Sequence, residues 1–160
     1  MNTIYLGIGT NLGNREGNII EAIDLIEKYI GSVKQSSSVY ETEPWGFKSE
    51  YLFLNMVVRV DTGLSPVILL RKIKMIEALM GRVRGGGRYK PRVIDIDILL
   101  FNARVIDNKI LQIPHLRMTE RRFVLVPLCE IAGDFIHPVM GKSIRDLLEE
   151  CKDENKVLKY

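Results

Sequence analysis

The chain has 160 residues, 46% of them hydrophobic and 27% charged, with a net charge of +3. Those proportions suit a single folded domain over 1–160 with a sizeable core. They argue against a nucleic-acid wrapper or a polybasic membrane binder, and no apolar run approaches the ~18 residues of a membrane span.

Ile4 to Ile8 is a short apolar run that stops at glycines, which predicts a first strand. Ile19, Ile23, Ile26 and Ile30 recur at helical spacing, so 16–30 is a helix with one buried face, ended by Gly31. Val33 to Tyr40 is a polar-rich strand. Glu41 to Glu50, with Pro44 and Gly46, is a loop, and Tyr51 to Val60 is a strand of bulky and β-branched residues. Ser65-Pro66 combines a hydroxyl cap with proline at the first turn, starting a helix that runs through Leu69, Ile73, Ile76 and Met80 to Gly81.

Residues 81–92 are glycine-rich and basic, hence a loop. Val93 to Phe101 is the clearest strand. Short strands near Arg104–Ile106 and Ile110–Ile113 turn at Asp107-Asn108. Helices follow at about Thr119–Ala132 and Ser143–Cys151. The order β-α-β-β-α-β predicts an α+β fold, a ferredoxin-like α/β/α sandwich with a mainly antiparallel central sheet and flanking helices. Cys129 and Cys151 form no CxxC pair and read as reduced thiols. The start, MNTIYLGIGT, lacks a leader pattern. A cytoplasmic monomer is expected.

The chemistry concentrates in Val93-Ile94-Asp95-Ile96-Asp97-Ile98. Alternate strand residues share a face, so Asp95 and Asp97 point one way and the isoleucines the other. Their Cα atoms should lie about 6.6 Å apart, at roughly 3.3 Å per residue. That spacing lets both carboxylates converge on a metal pair about 3.5–4 Å apart. Donors of oxygen alone favour magnesium over zinc. Taken alone, the pair is read equally well as a solvated strand face.

The preceding segment, 71–92, holds eight basic residues and one acid, Glu77. Arg82, Arg84, Arg88 and Arg92 lie in or beside a loop containing Gly85, Gly86 and Gly87. Arginine grips phosphate through a planar fork of donors. An arginine loop leading into two carboxylates fits metal-assisted phosphoryl transfer; a basic surface loop or RNA-binding loop is the other reading. Gly81 to Gly86 is not followed by Lys-Ser/Thr, so it is no P-loop. Leu12 stands where a dinucleotide fingerprint wants its third glycine. Phe53 and Asn55 share a strand face that could take a flat heterocycle, although Asn55 bonded to backbone or water accounts for it too. His115, near Arg117 and Arg121, is read as a phosphate contact or as a structural histidine.

Several segments together resemble the 6-hydroxymethyl-7,8-dihydropterin pyrophosphokinase family. They are Ile8-Gly9-Thr10-Asn11-Leu12-Gly13, Tyr40-Glu41-Thr42-Glu43-Pro44-Trp45-Gly46, Phe53-Leu54-Asn55, Ile76-Glu77 and Gly81-Arg82-Val83-Arg84. The run Arg88-Tyr89-Lys90-Pro91-Arg92-Val93-Ile94-Asp95-Ile96-Asp97-Ile98-Leu99 follows, then Pro114-His115, and Arg121 with Phe123. Lys90, Ile110 and Leu116 depart from the family's usual residues.

The resemblance implies that Asp95 and Asp97 bind two magnesium ions and that ATP is co-substrate. It implies that Phe53 and Phe123 sandwich a pterin, that Asn55 bonds its edge, and that Thr42, Pro44, Trp45 and Tyr89 complete its pocket. Glu77, Arg84, Arg92, Ile98, His115 and Arg121 would surround ATP, with Arg82 and Arg92 acting on the phosphates. The implied reaction is in-line attack of the substrate hydroxyl on the β-phosphorus of ATP, with AMP leaving and Asp97 the best-placed base. The partners would be small molecules, with no nucleic acid and no membrane. The rival is a basic, ferredoxin-like RNA-binding module without catalysis, but no aromatic RNA-reading strand of the K/R-G-F/Y type is present.

Overall fold

The computed structural model describes residues 1–43, 52–81 and 93–160. In chain order these form β1 (Asn2–Thr10), α1 (Arg15–Tyr29), β2 (Ser32–Ser36), β3 (Tyr40–Thr42), β4 (Phe53–Thr62) and α2 (Pro66–Leu79). Then come β5 (Asp95–Phe101), the hairpin strands β6 (Ile106–Asp107) and β7 (Gln112–Ile113), α3 (Arg122–Ala132), α4 (Ile144–Glu150) and β8 (Val157–Lys159). Among the described residues no helix is long and apolar enough to cross a membrane.

The sheet runs β5-β1-β4-β3-β8, with β2 also on β4, and each of these pairings is antiparallel. This is the α+β arrangement expected. On one face, α1 and α2 cover Ile4, Leu6, Ile8, Leu54, Met56, Val58, Ile94, Ile96 and Ile98. Leu69, Ile73 and Ile76 of α2 are at most 2% exposed, each contributing about 1.5–3 kcal/mol by leaving water. On the opposite face, α3 and α4 cover Tyr5, Val57, Leu99 and Leu100. A bulge opposite Tyr5 and Leu6 shifts the β5 register there. Leu99 and Leu100 consequently both belong to this second core, while Ile98 and Phe101 belong to the first.

Four local expectations change. The strand over 33–40 is two strands, because the Ser37 hydroxyl accepts the Val57 N–H at 2.9 Å and interrupts the ladder. Ser65 does precede α2 and Pro66 opens it, but the serine side chain makes no capping bond; the Leu69 N–H reaches the Ser65 carbonyl at 2.9 Å. The helix over 119–132 is a 3-10 turn, Met118–Glu120, followed by α3. Gly31 follows α1 without a left-handed φ. Its role is close approach: a Cβ there would lie 2.1 Å from the Asp61 carbonyl oxygen.

Candidate active site

Helices α3 and α4 cover only part of their sheet face. The remainder opens into a cleft of about 500 Å³, within the range of small-molecule sites. Its floor is β1. Gly9 sits between Asn55 on β4 and Asp95 on β5, and Gly7 between Val57 and Asp97. The registers therefore place Asp95 and Asp97 on the cleft face, beside Asn55, with no β1 side chain between them.

One end of the cleft is shaped for a flat polar ring. Thr42, Phe53 and Asn55 line it together, on the paired ends of β3 and β4, and Phe123 lines the cleft as well. Asn55 is buried and its Nδ2 donates to Thr42 Oγ1 at 2.6 Å. That bond fixes the amide and leaves Oδ1 over Gly9, where a Cβ would approach it to 2.7 Å. Lys74, Arg117 and Arg121 also line the cleft, and the Arg121 guanidinium lies over the Phe123 ring, 5.7 Å from its centroid. Asp95 and Asp97 line the same cleft, opposite Gly9 and Gly7 of β1.

Glu77 lies on the buried face of α2, four residues after Ile73. Its Oε2 accepts the Ile96 N–H at 3.0 Å. Glu77 thus grips the backbone of β5 between the two aspartates. His115 follows β7 and is tied to β5 by its own N–H, which donates to the Leu99 carbonyl at 3.0 Å. Its Nδ1 accepts the Arg117 N–H at 3.3 Å, so the neutral ring carries its proton on Nε2. That nitrogen is 3.9 Å from Asp97 Oδ1. Burial, then the Arg121 charge, push the His115 pKa down to about 4, against the opposing pull of Asp95.

The family model of 7,8-dihydro-6-hydroxymethylpterin-pyrophosphokinase matches residues 5–133. The chain belongs to that family. It is 42% identical over 155 residues to the 2-amino-4-hydroxy-6-hydroxymethyldihydropteridine pyrophosphokinase of Aquifex aeolicus, spanning 97% of this chain and 93% of that relative. It is 44% identical over 131 residues to the Bacillus subtilis protein of the same name, spanning 81% of this chain and 78% of the relative. The wild-type Plasmodium falciparum HPPK-DHPS structure with pteroate superposes with a TM-score of 0.78 at 23% identity, over 93% of this chain and 42% of that one. That likeness speaks for the fold. The chain is a pyrophosphokinase of folate synthesis, and the RNA-binding alternative is set aside.

In this pyrophosphokinase the cleft brings together Thr42, Phe53, Asn55, Glu77, Asp95, Asp97, His115, Arg121 and Phe123. Ile98 differs: its side chain is buried in the first core. Only its backbone can serve a ligand. Ile96 turns its N–H toward Glu77 at the outer edge of β5, so Ile98, two residues on, turns its own N–H the same way. Pro44, Trp45, Arg82, Arg84, Tyr89 and Arg92 lie outside the described residues, as do Arg88 and Lys90.

Sequence reasoning missed the group that anchors the start of β5. Asn18 of α1 donates to Thr10 Oγ1 at 3.0 Å, Leu12 O at 2.8 Å and Val93 O at 3.2 Å. The Thr10 hydroxyl also donates to the Val93 carbonyl. The available signal was an asparagine beside Ile19 on the buried stripe of α1.

The donor set fits magnesium. Asp95 and Asp97 offer oxygens on one strand face, and among the described residues no cluster of three or more His, Cys, Asp or Glu side chains could hold a metal alone. Two carboxylates leave most of an octahedral oxygen shell to phosphate and water, as magnesium prefers.

Proposed function

We propose that this chain moves the diphosphate of ATP onto the hydroxymethyl group of 6-hydroxymethyl-7,8-dihydropterin and releases AMP. The observation that carries this reading is that Asp95 and Asp97 share one cleft with Asn55, Phe53 and Phe123 and with the cations Lys74, Arg117 and Arg121. Magnesium held by the two aspartates would neutralise phosphate charge and favour attack at the β-phosphorus.

The chain's own groups would do the rest. Phe53 and Phe123 would stack on the pterin, and Asn55 Oδ1 would accept from its edge while Thr42 holds the amide. This holds the hydroxymethyl group toward the aspartates, where orientation lowers the barrier. Arg121, Arg117 and Lys74 would attract the triphosphate. Neutral His115 would donate Nε2–H to a phosphate oxygen, adding no positive charge. Glu77 would hold the β5 backbone so that both carboxylates keep their spacing, and Asp97 would take the hydroxyl proton. Arg82, Arg84 and Arg92 would supply phosphate contacts and Pro44, Trp45 and Tyr89 the pterin pocket, as the family resemblance implies. The backbone edge at Ile98 would face the nucleotide.

The test is AMP formation from ATP, magnesium and the dihydropterin alcohol, followed by chromatography. Stoichiometric AMP and pterin diphosphate support the proposal. ADP as product, or nucleotide turnover indifferent to the pterin, refutes it.

A further inference from the structure

We infer that Arg15 is a positioning residue for the pterin end of the cleft, acting on the last residues of β3 and the first of β4. Its Nη1 donates both to Glu41 Oε2, at 2.9 Å, and to the Leu52 carbonyl, at 3.0 Å. Glu41 immediately precedes Thr42, and Leu52 immediately precedes Phe53. Thr42 and Phe53 are register partners, the final rung of the β3–β4 ladder, and both line the cleft. One guanidinium nitrogen thus joins the two chain segments at the rung that borders the proposed pterin site.

Arg15 is itself held on two sides. It lies in the first turn of α1, whose start is fixed by Asn14 Oδ1 accepting the Gly17 N–H at 3.0 Å. The Tyr160 ring lies against its guanidinium, 5.7 Å from the centroid. The Tyr160 hydroxyl donates to Glu16 Oε1 at 2.5 Å, and its N–H donates to the Val39 carbonyl at 2.9 Å. Strand β8 pairs residue for residue with β3. A three-residue strand has little hold of its own: β4 and β8 flank β3, Glu130 of α3 accepts from the Tyr40 hydroxyl at 3.3 Å near its start, and Arg15 ties its end.

Arg15 and Glu41 side chains are only 27% and 32% exposed, so the pair is better shielded than a free surface ion pair. Loss of Arg15 frees the end rung, and the slack reaches the Asn55–Thr42 bond. Among the described residues, β5, α2 and the segment after β7, where ATP is proposed to lie, share none of these contacts.

The consequence for binding rests on the function proposed above, and the experiment separates the two. In the full chain, Arg15→Ala should raise the KM for the dihydropterin about three- to tenfold. The kcat and the dissociation constant of a non-hydrolysable ATP analogue should stay within about twofold. Arg15→Lys keeps a charged donor and should recover part of the loss. By hydrogen exchange, amides of 40–43 and 53–55 should exchange faster in Arg15→Ala, while those of β5 hold. Unchanged KM and exchange, or an equal weakening of the ATP analogue, overturns the inference. If the wild type turns over no dihydropterin, the proposed function falls. The tie is then judged by exchange alone, and unaltered exchange at 40–43 and 53–55 overturns it.

Discussion

A methyl group at Gly9 should damage the pterin end of the cleft far more than a methyl group at Gly7. Both glycines face the cleft on β1, two residues apart. A Cβ at Gly9 would stand 2.7 Å from Asn55 Oδ1 and 3.7 Å from Phe53 Cδ1. The atoms nearest a Cβ at Gly7 would be those of the Leu99 side chain, at 3.5 Å or more, which is ordinary contact. In Gly9→Ala the amide of Asn55 must therefore retreat. It is buried and tied to Thr42 at 2.6 Å, so retreat strains or breaks that bond. Overpacking of this kind costs about 1–3 kcal/mol, and in a chain of this length each kcal/mol lowers Tm by about 2–4 °C. Thermal melts should thus separate Gly9→Ala from the wild type while Gly7→Ala stays near it. With ATP saturating, the dihydropterin KM of Gly9→Ala should rise about tenfold, the equivalent of about 1.4 kcal/mol of misplaced hydrogen bonding. If Gly9→Ala and Gly7→Ala behave alike in both assays, Asn55 does not recognise the substrate in the position described.

Asp95→Asn and Asp97→Asn should each abolish AMP formation while the metal-free protein melts at or above the wild-type temperature, because a like charge has been removed; full turnover in either would refute the carboxylate-pair assignment. Glu77→Ala should cost about 1–3 kcal/mol in urea unfolding by leaving the buried Ile96 N–H without this acceptor, and Glu77→Gln, which keeps a carbonyl oxygen, should lose less. For His115, held near pKa 4 when folded, the unfolded chain binds the extra proton between about pH 4 and 6.5. Its contribution to stability is complete above about pH 6.5 and is lost as pH falls toward 4. Histidine NMR of the metal-free protein should show His115 neutral at pH 6 with its proton on Nε2, and a midpoint near 6.5 would refute the burial argument.

The features legible in the sequence were those that depend on one element at a time. The alternation of Asp95 and Asp97 with isoleucines required only that 95–101 be a strand. The apolar stripes of α1 and α2 required only helical spacing. What stayed hidden depended on partners distant in the chain. Strand β8 is short and mostly exposed, with Leu158 63% exposed, and its strand character comes from pairing with β3. The Ser37 interruption is written as one serine in a run of three, and only its contact with Val57 makes it a break. For Glu77, the family resemblance implied a place beside ATP. Its place four residues after Ile73 was the sign that it points inward, to the backbone of β5.

The cleft itself follows from where three strands change chemistry. Along β1 the cleft face reads Tyr5, Gly7, Gly9; along β4 it reads Val57, Asn55, Phe53; along β5 it reads Leu99, Asp97, Asp95. Tyr5, Val57 and Leu99 lie under α3 and α4, and the residues beyond them are open. Because β1 is antiparallel to both neighbours, the change from apolar to polar runs forward in β1 and backward in β4 and β5. No single strand marks that boundary as special. It becomes a site only when the register brings Asn55, Gly9 and Asp95 into one row, and that row is short of a side chain at its centre. A glycine there is what lets groups from two different strands, one suited to a ring edge and one suited to a metal, address the same bound substrate.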